Sequence, residues 1–176
     1  MNVLGISGSL RQASINSALL RAAQRLVPDG VALTIFDGVG ALPLFNPDLE
    51  ADLPAPVRAL HAAVAQADAL LIASPEYAHG VTGAIKNTLD WLVSFEPFIN
   101  KRVAVFNAAP RAHIADQALR ETLRTMSAII VEPASGTLAL SGMHHENVIV
   151  ANQEVAAAIS GYLRALLAAD SLSIQT

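Results

Sequence analysis

Hydrophobic positions along the chain follow two alternating patterns. Short, almost unbroken apolar runs occupy residues 2–6, 32–36, 69–73, 103–107 and 128–131. Runs that are apolar throughout, bounded for the most part by Gly, Pro and Ser, are expected of parallel strands covered on both faces. Between them apolar residues recur every three or four positions. Ile15, Leu19, Ala22 and Leu26 form one stripe, and Val57, Leu60 and Val64 a second. Ile85, Leu89 and Leu92 make a third, Ala115, Leu119, Leu123 and Met126 a fourth, and Val155, Ile159, Leu163 and Leu166 a fifth. That spacing places each set on one face of an α-helix. The predicted order is βαβαβαβαβα.

Such alternation implies a parallel sheet with helices on both faces, a three-layer α/β/α sandwich. Five strands suit the order 2-1-3-4-5 better than a six-stranded dinucleotide-binding sheet. In a chain of 176 residues this makes one domain, residues 1–170, followed by a flexible tail at 171–176. Residues 37–54 form a long connector rich in Pro, Gly and Asp, of the kind that serves function or contacts between subunits. Residues 133–152 form another, with a candidate extra strand at 137–140.

Composition narrows the class. Hydrophobic residues are 53% and charged residues 15% of the chain, which excludes an intrinsically disordered protein. A net charge of −4 excludes a basic nucleic-acid binder and a strongly acidic carrier. The absence of Cys rules out disulfides, thiolate nucleophiles and Cys-ligated metals, and fits a reducing compartment. The first residues lack the basic and long apolar regions of a signal peptide, and no stretch reaches the roughly 18 apolar residues of a spanning helix. A cytoplasmic protein with no membrane partner is expected.

In open α/β sheets ligands bind beyond the carboxyl ends of the strands, where the strand order reverses. Here that point lies between the first and third strands, and the loops after these two strands are the most unusual in the chain. The first runs Ser7-Gly8-Ser9-Leu10-Arg11-Gln12-Ala13-Ser14-Ile15-Asn16 into the first helix. A helix N-terminus offers unpaired N–H groups and partial positive charge to a phosphate. Ser9 and Ser14 add hydroxyls, Asn16 an amide, and Arg11 a permanent charge with forked donors. Ser14 is also a candidate N-cap. The loop is neither a Walker A nor a G-x-G-x-x-G sequence. The second loop runs Ser74-Pro75-Glu76-Tyr77-Ala78-His79-Gly80-Val81-Thr82-Gly83. Tyr77 can lie against a planar ring, and Gly80 and Gly83 allow close approach of the backbone.

The two motifs, Ser7-Gly8-Ser9-Leu10-Arg11…Ser14…Asn16 and Pro75-Glu76-Tyr77 followed by Gly83…Lys86-Asn87…Asp90-Trp91, together resemble the NADPH-dependent FMN reductase family. The resemblance spans most of the chain and implies a flavodoxin-like fold, non-covalently bound FMN, NADPH or NADH as electron donor, and a homodimer or homotetramer. It implies that Ser9, Arg11, Ser14, Ile15 and Asn16 hold the FMN phosphate. Pro75, Glu76, Tyr77, Ala78, His79 and Gly80 would line the isoalloxazine, largely through backbone groups. Ala109 and Arg111, in the loop after the fourth strand, would flank the flavin edge, with Arg111 and His113 near its pyrimidine end or a nicotinamide. Three positions depart from the common pattern: Ala78 stands for the usual Asn, Gly80 for Ser and Thr82 for Pro. The implied activity is hydride transfer from NAD(P)H through FMN to a small acceptor such as a flavin, quinone, azo compound or oxidised metal ion. FMN carries the redox chemistry, so no catalytic side chain is assigned. An electron-carrying flavodoxin and a non-redox nucleotide-binding protein are the alternatives.

Two further features bear on assembly and metals. Ala84, Thr88, Trp91 and Phe95 give the third helix a second apolar face, expected to meet a partner subunit or to lie under the connector at 37–54. His144-His145-Glu146 reads as a solvated loop, because neighbouring side chains on an extended strand point apart.

Overall fold

The structure, a computed structural model, describes residues 1–172. Its strands and helices, in chain order, are β1 (Asn2–Ser7), α1 (Ile15–Arg25), β2 (Ala32–Ile35), α2 (Ala55–Gln66), β3 (Ala69–Ala73), β4 (Glu76–Tyr77), β5 (Gly80–Val81), α3 (Gly83–Asp90), β6 (Arg102–Asn107), α4 (His113–Thr125), β7 (Ile129–Ile130), β8 (Gly136–Thr137), α5 (Glu146–Ala151) and α6 (Gln153–Leu172). The main sheet is parallel, with order β2-β1-β3-β6-β7, and β8 also pairs with β6. Leaving aside the small β4–β5 hairpin, this is the expected 2-1-3-4-5 sheet of a flavodoxin-like sandwich.

The three central strands are apolar on both faces because both faces are covered. Leu4, Ile6, Leu70, Ile72, Val103 and Val105 meet α2, α3 and α4 on one side. Val3, Ala69, Leu71, Ala73, Ala104 and Phe106 meet α1, α5 and α6 on the other. All these side chains are buried. Small residues on the second face let α1 approach closely through Ala18, Ala22 and Ala23.

The fifth strand departs from the expected single run. It is split into β7 beside the start of β6 and β8 beside its end. Pro133, which has no N–H to give a ladder, sits in the 3₁₀ turn Glu132–Ala134 between the halves. Ser135 closes the gap: its hydroxyl accepts the Val105 N–H at 3.0 Å and donates to the Val131 carbonyl at 3.0 Å. Of the candidate strand at 137–140, residues 138–140 are not strand and only Thr137 is, in the two-residue β8. The connector after it contains α5, which the sequence pattern did not show. Ser171 and Leu172, expected in the tail, continue α6, and residues 173–176 lie outside the described residues.

The connector at 37–54 is ordered by two 3₁₀ turns, Gly38–Ala41 and Pro47–Asp52. It lies over the second apolar face of α3. Asn87 accepts the Phe45 N–H at 2.8 Å and donates to the Pro43 carbonyl at 2.9 Å. Trp91 Nε1 donates to the same carbonyl at 2.8 Å, and its ring meets Phe45 edge-on, with centroids 5.0 Å apart. Phe95 stacks on His61 of α2. That face is thus covered by the chain's own connector rather than left for a partner. Among the described residues no helix is long and apolar enough to cross a membrane.

Candidate functional site

The first wall of the site is the loop from β1 to α1. The Gly8 N–H extends the ladder to the Ala73 carbonyl at 2.8 Å, after which the chain turns away from β3. A Cβ on Gly8 would come within 2.2 Å of Ser74 Oγ, so the close approach of the two loops requires glycine. Ser9 Oγ accepts the Arg11 N–H at 3.4 Å, and Ser7 and Ser17 hydroxyls are 2.8 Å apart. Ser14 is the N-cap of α1, its Oγ accepting the Ser17 N–H at 3.3 Å. That bond leaves the Ser14 hydroxyl hydrogen unspent, and the Ile15 and Asn16 N–H groups lie at the positive end of the helix. Asn16 is 5% exposed, and its Oδ1 is buried with no hydrogen-bond partner in the chain. A polar atom left in that state costs about 1–3 kcal/mol unless something outside the chain satisfies it.

The second wall is the β4–β5 hairpin. Its turn is Ala78-His79, both left-handed, with φ of 49° and 57°. Two successive positive φ values define a type I′ turn, normally built from Asn and Gly. Tyr77 stays 58% exposed, an unusual position for an aromatic ring unless a partner covers it. Thr82 follows the hairpin and is 3% exposed. Its hydroxyl donates to the Gly8 carbonyl at 2.6 Å and accepts the Ile85 N–H at 3.2 Å, capping α3 while fastening the second loop to the first. Glu76 Oε2 accepts the Ala115 N–H at 2.8 Å, and its Oε1 lies 3.0 Å from His79 Nδ1. The helix N–H is the chief reason that this carboxyl sits below its usual pKa; partial desolvation opposes it and His79 reinforces it.

The third wall is the loop from β6 to α4. Asn107, 5% exposed, shapes it from inside: Oδ1 accepts the Ala109 N–H at 3.0 Å and Nδ2 donates to the Ala112 carbonyl at 3.1 Å. Between these anchors Arg111 is exposed.

The three walls enclose a cavity of about 400 Å³ beyond the carboxyl ends of β1, β3 and β6, within the range usual for small-ligand sites. It is lined by Ser9, Arg11, Ser14, Ile15 and Asn16 from the first wall, Pro75, Glu76 and Tyr77 from the second, and Ala109 and Arg111 from the third. Of the residues expected from sequence, Ala78, His79 and Gly80 do not line it; they form the turn and far strand of the hairpin. His113 opens α4, with Nδ1 3.2 Å from the Arg111 carbonyl, and also lies off the cavity. The structure adds Ala13, Ser74, Asn107, Ala108, Ala112 and His144. His144 arrives from the segment after β8, where the sequence suggested only solvated loop. Its neighbours have structural uses: His145 caps α5 by accepting the Asn147 N–H at 3.2 Å, and Glu146 pairs with Arg21 at 3.0 Å.

A family model described as NADPH-dependent FMN reductase matches residues 1–145. The chain belongs to this family. An NAD(P)H-dependent FMN reductase of Pseudomonas aeruginosa is 41% identical over 112 residues, which cover 62% of this chain and 60% of that protein. A probable NADPH:quinone oxidoreductase of Oryza sativa subsp. japonica is 43% identical over 95 residues, covering 52% of this chain and 47% of that one. The matched stretches therefore span less than two thirds of these relatives' own lengths. Among solved structures, a flavoenzyme NAD(P)H:(acceptor) oxidoreductase from Paracoccus denitrificans has the same fold, with a TM-score of 0.79 over 97% of both chains at 24% identity. Against the family's usual pattern, Thr82 in place of Pro is the departure with the clearest structural consequence, because proline could make neither of its two hydrogen bonds. The Lys86-Asn87…Asp90-Trp91 motif, by contrast, supports the connector at 37–54 and an ion pair between Lys86 and Asp90, and does not line the cavity.

Proposed function

We propose that the protein binds FMN in this cavity and uses it to oxidise NADH or NADPH, passing one hydride equivalent (two electrons and one proton) to a small acceptor such as a flavin or quinone, which takes its second proton from solvent. The observation that carries the reading is the buried Asn16 Oδ1, an acceptor with no partner, in the same cavity as Arg11 at the open end of α1. A phosphate ester with a polyhydroxylated chain matches both: its phosphate accepts from Arg11 and the helix N–H groups, and a chain hydroxyl can donate to the orphaned oxygen. Arg11, Ser9, Ser14 and the Ile15 and Asn16 N–H groups would hold the phosphate. Pro75, Glu76 and Tyr77 would bound the ring on one side, and Ala109 and Arg111 on the other. Ala78, His79 and Gly80 would support the ring wall through the turn they form. Bound FMN supplies the hydride and electron-transfer chemistry. The chain's own groups bind, orient and shield it, and none is assigned a proton.

A nicotinamide donor is a cytoplasmic metabolite, and the reading places the protein there. Family resemblance supports a homodimer or homotetramer, as do Leu10 and Leu44, exposed at 63% and 84% beside the phosphate loop and in the connector over α3. Light scattering showing only monomer at micromolar concentration would remove that part of the proposal. The central test is direct. The purified protein should take up FMN with quenching of flavin fluorescence, then oxidise NADH or NADPH when a quinone or free flavin is supplied. FMN uptake without oxidation would favour an electron carrier, and no uptake would end the flavoprotein reading.

A further inference from the structure

The β4–β5 hairpin is too small to hold its own shape. Its strands are two residues each, and its turn forces Ala78 and His79 into left-handed conformations. Yet it carries Tyr77, the exposed ring of the second wall. Packed against the hairpin, α4 has the opposite deficiency. Its N-cap is Ala112, which has no side-chain oxygen to satisfy the first N–H groups of the helix. These two deficiencies meet at one side chain. Glu76, next to Tyr77, reaches 39 residues along the sequence to accept the Ala115 N–H. A carboxylate at the positive end of a helix is the favourable placement, and a charged acceptor makes the stronger bond. Its other oxygen returns to His79 in the hairpin turn. The side chain is 12% exposed, with both oxygens engaged.

We propose that Glu76 is a positioning residue: it serves as the missing cap of α4 and so fixes the distance between the Tyr77 wall and the Arg111 wall of the cavity. Residues adjacent on a strand point to opposite faces, so anchoring Glu76 on α4 orients Tyr77 the other way. Anchoring the first turn of α4 likewise fixes Ala112 and Arg111, which lead into it. The phosphate end is built on β1 and α1, makes no hydrogen bond to the Glu76 carboxylate, and is tied to the second loop through the separate bond from Thr82 to Gly8.

The proposal rests on the FMN reading, and its consequence is specific: loss of the strut weakens contact with the ring and leaves the phosphate contacts alone. The test titrates FMN and riboflavin into ligand-free wild type, Glu76→Ala and Glu76→Gln by fluorescence quenching, and follows amide exchange at Ala115 in the same ligand-free proteins. Glu76→Ala should raise Kd for both flavins by the same factor, roughly tenfold. It should also speed exchange at Ala115. Glu76→Gln, whose amide oxygen can still accept from the helix, should recover most of both effects. Unchanged Kd in Glu76→Ala, a loss confined to FMN, or a Glu76→Gln variant as impaired as Glu76→Ala would each overturn the proposal. Wild type that binds neither flavin would refute the FMN reading instead, while exchange at Ala115 would still report whether the strut exists.

Discussion

At the scale of single residues, Arg11 and Asn16 make the most specific demand on a ligand. Arg11 has no ion pair among the described residues and is exposed at the rim of the cavity. Its forked donors suit a phosphate, and its place in the loop that opens α1 sets it at the phosphate end rather than against the ring. Arg11→Ala should therefore raise Kd for FMN by about tenfold to a hundredfold, the worth of a charge-assisted contact, and leave riboflavin affinity unaltered. Parallel fluorescence titrations measure both; equal losses for the two ligands would show that Arg11 supports the loop rather than the phosphate. Ala78 makes a prediction of the other sign. Its φ of 49° is unfavourable for a residue with a Cβ and no polar side chain. Ala78→Asn should stabilise the fold by about 0.5–1 kcal/mol, seen as a higher urea midpoint with an unchanged m-value. The contrast explains what could be read from sequence here. The phosphate loop was legible because Ser, Arg and Asn before a helix declare their chemistry by type. The hairpin was not, because Ala78-His79 lacks the Asn-Gly that announces a type I′ turn. His144 was not, because packing of the segment after β8 brings it to the cavity, and nothing in its local sequence says so.

At the scale of elements, the central sheet was legible for a simple reason: β1, β3 and β6 are buried on both faces, and continuous apolar runs have few other uses. What escaped was structure set by polar side chains acting at a distance. The split of the fifth strand depends on the Ser135 hydroxyl standing in for a ladder carbonyl, and α5 is six residues whose cap is a histidine. The second face of α3 was legible as apolar and covered, but not whether by a partner subunit or by the connector, since the Pro43 carbonyl that receives Asn87 and Trp91 lies in a connector without periodicity. Thr82 is the junction where two elements and two loops of the site depend on one hydroxyl. Thr82→Val removes the cap of α3 and a 2.6 Å bond to Gly8 while keeping the shape. The expected cost is about 1–3 kcal/mol, and hence a drop of several degrees in Tm for a domain of this size. Thr82→Ser should restore most of it. If valine leaves Tm unmoved, the bond between the loops is worth nothing.

At the scale of the whole molecule, two contacts that join separate elements rest on carboxylates, and this gives the fold a signed response to pH. Glu76 joins the hairpin to α4, and Glu146 joins α5 to α1 through Arg21. Both sit below the ordinary value of 4.5. For Glu146 the leading cause is its own backbone N–H at the start of α5, with Arg21 next. In the unfolded chain these carboxyls take up protons at higher pH than in the native state. Their stabilisation is therefore fully present above 4.5 and is lost as pH falls through the lower native values. Lys101 acts in the same sense at the alkaline end. Its ammonium donates to the Ala67 carbonyl at 2.7 Å, and burial pushes its pKa below 10.5 with Asp68 opposing. The native state releases that proton first, so this group adds stability as pH rises towards 10.5. Thermal unfolding measured from neutral pH downwards should show a level Tm that begins to fall near pH 4.5. Glu146→Gln should lower Tm at neutral pH and make the acid slope shallower, because the variant has no proton to gain at that position. An acid slope identical in wild type and Glu146→Gln would mean that the pair with Arg21 is solvent-screened to insignificance, and that α5 is held to α1 by its buried Ile149 and the hydrogen bond from Arg25 to Asn147.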